Sequence, residues 1–334
     1  MRYVIWHGCA AVLAVATAVL ALAPVALGQE DESDDAPMFA VPMSAEARSR
    51  PRRENGPLQV ILLSIFGSGK EEPFTPLLLR DVFTDGWDEP WIAPPEDADM
   101  PRRQGWVKSA DGLFFRNLVL TYQNTEGLPT GQDANLGLFQ FQSPLSRRLW
   151  ISLDVPFVTT ASSVDGVAGA TAFGDFNVTT RVMLHESRRT SVIAGLGVRT
   201  PTGTLSTFSG LARLDPDVQF WRHLAGRWSM RGSIGVDVPL NNFDVLPTNL
   251  QSILAIGETI TGHDRLLIGD FQYYVSANMH NNLSSAPGHT FFSLTPGFRT
   301  HLGGEYFLAG GYEIPLVGPL PYTGRLTFFL VKGF

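Results

Sequence analysis

From Asp111 to Phe334 the chain is a run of twelve segments in which apolar and polar side chains alternate, separated by turn-forming residues. A period of two puts successive side chains on opposite faces, so each segment reads as a β-strand with one apolar and one polar face. The segments span 112–123, 134–142, 148–159, 174–185, 190–201, 214–223, 227–239, 249–260, 265–278, 290–301, 305–315 and 322–334. Most have the roughly 9–11 residues that a tilted strand needs to cross a bilayer, or slightly more. In 148–159, Leu149, Ile151, Leu153, Val155 and Phe157 oppose Ser152 and Asp154. In 265–278, Leu267, Phe271, Tyr273 and Val275 oppose Asp270, Gln272, Ser276 and Asn278.

The connections alternate too. Short ones (Ser143–Arg147, Glu186–Arg189, Leu224–Gly226, Thr261–Asp264, Leu302–Gly304) interleave with mostly longer ones such as Thr160–Phe173 and Met279–His289. Short turns on one rim, long loops on the other and an even strand number are the pattern of an outer-membrane barrel. A soluble sandwich has no reason to alternate in this way. The expected fold is therefore all-β: a transmembrane, antiparallel, up-and-down barrel of about twelve strands.

Composition agrees. Charged residues make up 17%, against about 25% in soluble domains. At the start, Met1-Arg2, an apolar run from Ala10 to Leu22, then Ala26-Leu27-Gly28 read as a signal peptide cleaved near Gly28. Beyond it no apolar run is long enough for a spanning helix. Without Arg2 the mature chain has 24 basic and 32 acidic residues, a net charge of −8. That argues against nucleic acid as a partner, since phosphate contacts need clustered Lys and Arg. The single cysteine, Cys9, lies in the signal, which leaves no disulfide, thiol nucleophile or thiolate ligand.

Three parts follow: 1–28, signal peptide; 29–110, a Pro-rich periplasmic extension or plug; 111–334, the barrel. In the middle part an acidic patch (Glu30 to Asp35) precedes Arg48, Arg50, Arg52 and Arg53, and prolines recur at 57, 73, 76, 90, 94, 95 and 101. Only Leu58–Phe66 reads as a short helix or strand.

Four upward strands end on a charged residue two before a proline: Asp154, Arg199, Asp237 and Glu313. These are the pore-rim candidates, a charge ring that would bias solute entry. The alternative is strand termination plus interior ion pairing. Inward charges Asp175, Arg181, Arg231, Asp270, Arg299 and Arg325 are the lumen candidates. Trp150, Trp221, Trp228, Tyr273, Tyr306, Tyr312 and Tyr322, near strand ends, suit interfacial girdles. In the last strand Tyr322, Leu326, Phe328, Leu330 and terminal Phe334 share a face, like the signal read by the barrel-assembly machinery.

Enzyme signals are weak. Gly67-Ser68-Gly69-Lys70 lacks the first glycine and the final hydroxyl of a phosphate loop. His185-Glu186-Ser187 has the His-x-Ser spacing of outer-membrane phospholipases but falls on a short turn, on the wrong side. No histidines have metal-site spacing, so no metal, cofactor or catalytic residue is expected.

The stretches Phe173-Gly174-Asp175-Phe176-Asn177-Val178-Thr179-Thr180-Arg181 and Gly195-Leu196-Gly197-Val198-Arg199-Thr200-Pro201-Thr202-Gly203 resemble the outer-membrane family named for the meta-pathway of phenol degradation. That resemblance covers about 111–334 and implies a transporter-like barrel, with no functional residues to carry over. The expected function is passive passage of small solutes, hydrophobic or aromatic ones included, across an outer membrane. The partners would be outer-membrane lipid, the assembly machinery and the solute. A non-conducting structural or surface-interaction barrel is the alternative, and a lipid hydrolase the remaining one.

Overall fold

The computed structural model describes residues 56–69, 74–94, 100–109, 111–128, 133–160, 171–203, 211–241, 247–283, 290–319 and 321–334. The expected signal peptide and the acidic and arginine clusters before residue 54 lie outside the described residues.

The described residues form thirteen strands: β1 (Asn117–Glu126), β2 (Ala134–Pro144), β3 (Leu149–Thr160), β4 (Thr171–Phe173), β5 (Asn177–Glu186), β6 (Thr190–Arg199), β7 (Arg213–His223), β8 (Trp228–Pro239), β9 (Asn249–Thr259), β10 (Gly269–Asn282), β11 (Thr290–Gly303), β12 (Tyr306–Val317) and β13 (Gly324–Gly333). Twelve form a closed antiparallel barrel. β1 closes it against β13, in register from Asn117↔Gly333 to Glu126↔Gly324. β4 is a short flap on the far end of β3. A closed barrel leaves no unpaired edge in the ring.

The alternation sets the two faces. Outward side chains such as Leu254 (54% exposed) and Leu120 are apolar, while the inward Gln272, Ser276 and Thr295 are fully buried. This is the inverse of a soluble core: apolar area lies outside and hydrogen-bonding groups inside.

Two strands begin four or five residues later than their pattern predicts, for different reasons. β1 starts at Asn117 because 112–116 turn inward: Leu113 and Phe114 are buried, and Gly112 N donates to Arg103 O (2.8 Å). β10 starts at Gly269 because Arg265–Ile268 form a turn, with Leu267 at φ 65° and a register shift between Gly269 and Gln272. Leu267 thus leaves the strand, while β10 continues to Asn282.

Before the barrel, Pro57–Phe66 is a helix, α1, entered through a proline at its first turn. A single 3-10 turn covers Leu79–Asp81. No helix among the described residues is long and apolar enough to cross a membrane.

Candidate functional site

The site is the barrel lumen together with the N-terminal segment seated in it. At the short-turn end, Leu77 makes a two-way backbone bridge with Glu186 (2.8 and 2.9 Å). The turn between β2 and β3 supplies two buried arginines that hold this segment. Arg148 donates to the carbonyls of Leu78 and Asp81 (both 3.1 Å), Met183 (2.7 Å) and Asp85. Arg147 pairs with Glu89 (3.0 Å) and donates to Thr75 Oγ1 (2.8 Å). Five carbonyls converge on Arg148 when Leu184 is included (3.2 Å), a good match for its five-donor guanidinium. Arg116 ties α1 down through the carbonyls of Ile65 (3.0 Å) and Gly67.

The chain then climbs the inner wall. Contacts with β10 mark the ascent through successive inward positions. Arg102 Nε meets Asp270 Oδ1 (3.1 Å), Trp106 Nε1 donates to Gln272 Oε1 (2.7 Å), and Val107 N donates to Tyr274 Oη (2.9 Å). The Trp106 ring stacks on Tyr274 at 4.8 Å, with the Arg231 guanidinium 4.3 Å from its centroid. Inward Gly257 leaves the room for this ring, because a Cβ there would lie 2.7 Å from it. At the apex Trp106–Ser109 closes a tight turn, with Ser109 N donating to Trp106 O (3.0 Å) and Lys108 at φ 65°. Lys108 Nζ pairs with Glu313 (3.1 Å). Burial lowers the Lys108 pKa, Arg325 lowers it further and Glu313 opposes both. The return leg is clasped by Asp111, whose carboxylate accepts from Gly105 N. Burial raises the Asp111 pKa against that bond and the arginines Arg181, Arg231 and Arg299.

This hairpin divides the lumen. On the short-turn side lies a cavity of about 160 Å³, lined by Gln104, Asp111, Gln142, Arg299 and others. On the long-loop side lies one of about 440 Å³, walled by Lys108, Arg199, Asp215, Asp217, Asp237 and Gln251. Trp106, Ser109, Arg181 and Phe329 face both.

Among the rim candidates, Arg199 and Asp237 share the larger cavity, and Asp237 bonds Arg213. Asp154 lies apart, midway along β3, accepting from Gln140 (3.0 Å), Ser152 (2.6 Å) and Asn177 (3.1 Å). Glu313 is also apart, held by Lys108, Arg325 (3.4 Å) and Ser293 (2.6 Å). Of the lumen candidates, Arg231, Asp270 and Arg299 all grip the N-terminal segment. Arg231 donates to the carbonyls of Arg102 (2.9 Å) and Arg103 (3.0 Å), and Arg299 donates to Gln104. Arg181 lies over Trp150 at 4.9 Å. Asp175 instead staples the long-loop end, accepting from Gly203 N (2.8 Å) and Leu211 N (3.0 Å). Phe334 stacks on Phe141 (6.1 Å) on the outer face.

The girdle expectation needs correction at three positions. Trp150, Trp221 and Tyr322 are buried, whereas Trp228, Tyr273, Tyr306 and Tyr312 are exposed. Trp150 packs with Leu77 and Phe114, and Trp221 lies under Arg103 (4.5 Å), so both serve the N-terminal segment. In the His-x-Ser turn, Ser187 Oγ accepts from Arg189 N (3.3 Å) and Thr190 N (3.0 Å) as a turn cap. Sequence reading missed Arg103, Arg147, Arg148 and Trp106. Two adjacent arginines in a short turn were the available signal.

No protein-family model matches the chain, and no curated protein matches it. The resemblance to the phenol meta-pathway family thus has no support from a family model. Solved structures do match. An outer-membrane channel from Pseudomonas putida F1 is similar over 72% of this chain and 100% of its own, at 15% identity and a TM-score of 0.53. The KdgM porin matches over 65% of this chain and 99% of its own (7% identity, TM-score 0.46). The outer membrane phospholipase A from Escherichia coli matches over 66% and 98% (11% identity, TM-score 0.36). At these identities the likeness to the first shows the barrel fold alone, and the other two carry no argument.

Proposed function

We propose that this chain is an outer-membrane channel for small solutes whose lumen is gated by its own residues 102–109. Cleavage near Gly28 and folding by the barrel-assembly machinery belong to the same reading. The observation that carries it is the hairpin seated between two charged cavities, which moving Trp106 and Ser109 would join. The apolar outer face supports membrane embedding, since so much exposed apolar area in water would be a strong association liability. The P. putida relative by fold is an outer-membrane channel.

The lining bears on the solute. Asn177, Thr179, Arg199, Asp215, Asp217 and Asp237 offer charge and hydrogen bonds, which favour polar over aromatic solutes along the lumen. No catalytic role is assigned to the lumen.

The test uses the absence of cysteine from the mature chain. Gln104→Cys with Arg299→Cys, joined by a short bifunctional thiol reagent, would pin the hairpin to β11. Planar-bilayer recordings of the uncrosslinked protein should show openings that the reagent abolishes. Equal conductance before and after reaction would show that the hairpin does not gate. Silence in both forms would move the reading to a closed structural barrel.

A further inference from the structure

Two histidines and an aspartate far apart in sequence meet at the short-turn mouth. His263 lies in the β9–β10 turn, Asp270 at the start of β10, and His301 near the end of β11. One potential ligand atom from each lies within 4.8 Å of the others. We propose that they form a divalent-cation site of the zinc class, which clamps the two turns together and braces the N-terminal segment.

The bonds that each residue already makes support this. His301 Nε2 lies 2.6 Å from Gly304 O, which must accept, so that nitrogen carries the proton. In a neutral ring the lone pair is then on Nδ1, and it faces another acceptor, His263 O, at 3.4 Å. An imidazole whose far N–H is held by a backbone carbonyl is the usual second-sphere arrangement of a metal-bound histidine. Asp270 is similarly divided. Oδ1 takes Arg102 Nε (3.1 Å), while Oδ2 faces His263 Nδ1 (2.6 Å). One oxygen is thus oriented by a cation and the other turned toward the His263 imidazole. Asp270 also holds φ 45°, a backbone state that non-glycine residues rarely adopt and that tends to mark functional positions.

The present ring geometry sets what must move. His263 and His301 stack at 4.3 Å with 7° between planes, so their in-plane lone pairs lie in separate parallel planes and meet at one ion only after one ring turns. Tetrahedral zinc with bonds of about 2.0–2.2 Å places its ligand atoms roughly 3.4 Å apart, so the widest separation in the trio, within 4.8 Å, would close by about 1.4 Å. The His263 side chain is 53% exposed and would turn by giving up its Asp270 bond and its stack on His301, while His301 is buried and fixed by Gly304. Two imidazoles and a carboxylate suit Zn²⁺ over Ca²⁺ or Mg²⁺, which prefer all-oxygen sets. Arg102 would act as the second-sphere partner, coupling the ion to the plug.

The test is calorimetric titration of the full mature chain in detergent with Zn²⁺ alone, alongside Co²⁺ absorption spectroscopy. One ion per chain is expected, with a Co²⁺ spectrum showing nitrogen ligation. His263→Ala, in an exposed turn, should retain heat-modifiable barrel mobility on gels yet weaken binding at least about tenfold, and Asp270→Asn should do the same. His223→Ala and His280→Ala should bind as the parent does. Binding unchanged in His263→Ala, or lost equally in His223→Ala, would overturn the site. Failure of the parent to bind at micromolar Zn²⁺ would also overturn it.

Discussion

Trp106 is the side chain on which the gating reading turns. It is buried at 1% exposure, stacked on Tyr274, bonded to Gln272 and covered by Arg231, and all three partners belong to the barrel wall. Truncation in Trp106→Ala therefore weakens the docked hairpin while leaving every strand pair intact. Removing a buried tryptophan costs about 3–5 kcal/mol. At one power of ten per roughly 1.4 kcal/mol, this shifts the docked–undocked equilibrium by about a hundred- to several-thousand-fold. The lost indole also removes part of the partition between the cavities, so both effects act in the same direction. Single-channel recording is the assay. Trp106→Ala should raise the open fraction by at least ten times, and Trp106→Phe, which keeps the stack but not the indole N–H, should fall between. If Trp106→Ala conducts like the parent while its barrel melts normally, the hairpin is no gate and the reasoning fails.

Three further predictions follow from the same contacts. Glu313→Gln strips Lys108 and Arg325 of a shared, 1%-exposed carboxylate; breaking such a pair costs about 3–5 kcal/mol, and a double-mutant cycle with Lys108→Met should show strong coupling in chemical denaturation. Arg148→Ala frees the carbonyls of Leu78, Asp81 and Asp85, destabilising segment 74–94 by about 2–3 kcal/mol; limited proteolysis should cut that segment faster with the barrel intact, and unchanged cleavage would count against the anchor. Inward Gly195 leaves space that the Asp217 carboxylate and Arg181 occupy, so Gly195→Val should displace Asp217 into the larger cavity, reducing conductance and shifting ion selectivity.

The barrel was legible because its code is local. Leu153 and Ser152, or Tyr273 and Gln272, declare their faces by parity alone, and closure follows from the even count and the alternating loops. The late starts of β1 and β10 escaped because Phe114 and Leu267 are apolar residues at the parity of the outward face, put to other uses. Trp150 and Trp221 misled for a related reason. A tryptophan near a strand end reads as interfacial, but parity turns these two inward onto Leu77, Phe114 and Arg103. The metal-ligand trio could not be seen at all, since His263 and His301 meet only through the pairing of β10 with β11.

The N-terminal segment obeys no periodic code, yet the barrel sequence contains its imprint. Inward Arg231, Asp270 and Arg299 are buried charges that the wall shares with that segment. A charge in a low-dielectric interior needs partners, and a twelve-stranded lumen is too wide for every side chain to find one across it. Arg231 instead reaches the backbone carbonyls of Arg102 and Arg103, Asp270 takes Arg102, and Arg299 takes Gln104. Wall and hairpin are therefore one hydrogen-bonded system. Undocking exchanges these bonds for bonds to water, which leaves a modest net cost for each. On the gating proposal the stacked Trp106 and the Lys108–Glu313 pair then set how often the lumen opens, which is why substitutions at these two contacts should change gating before they change the fold.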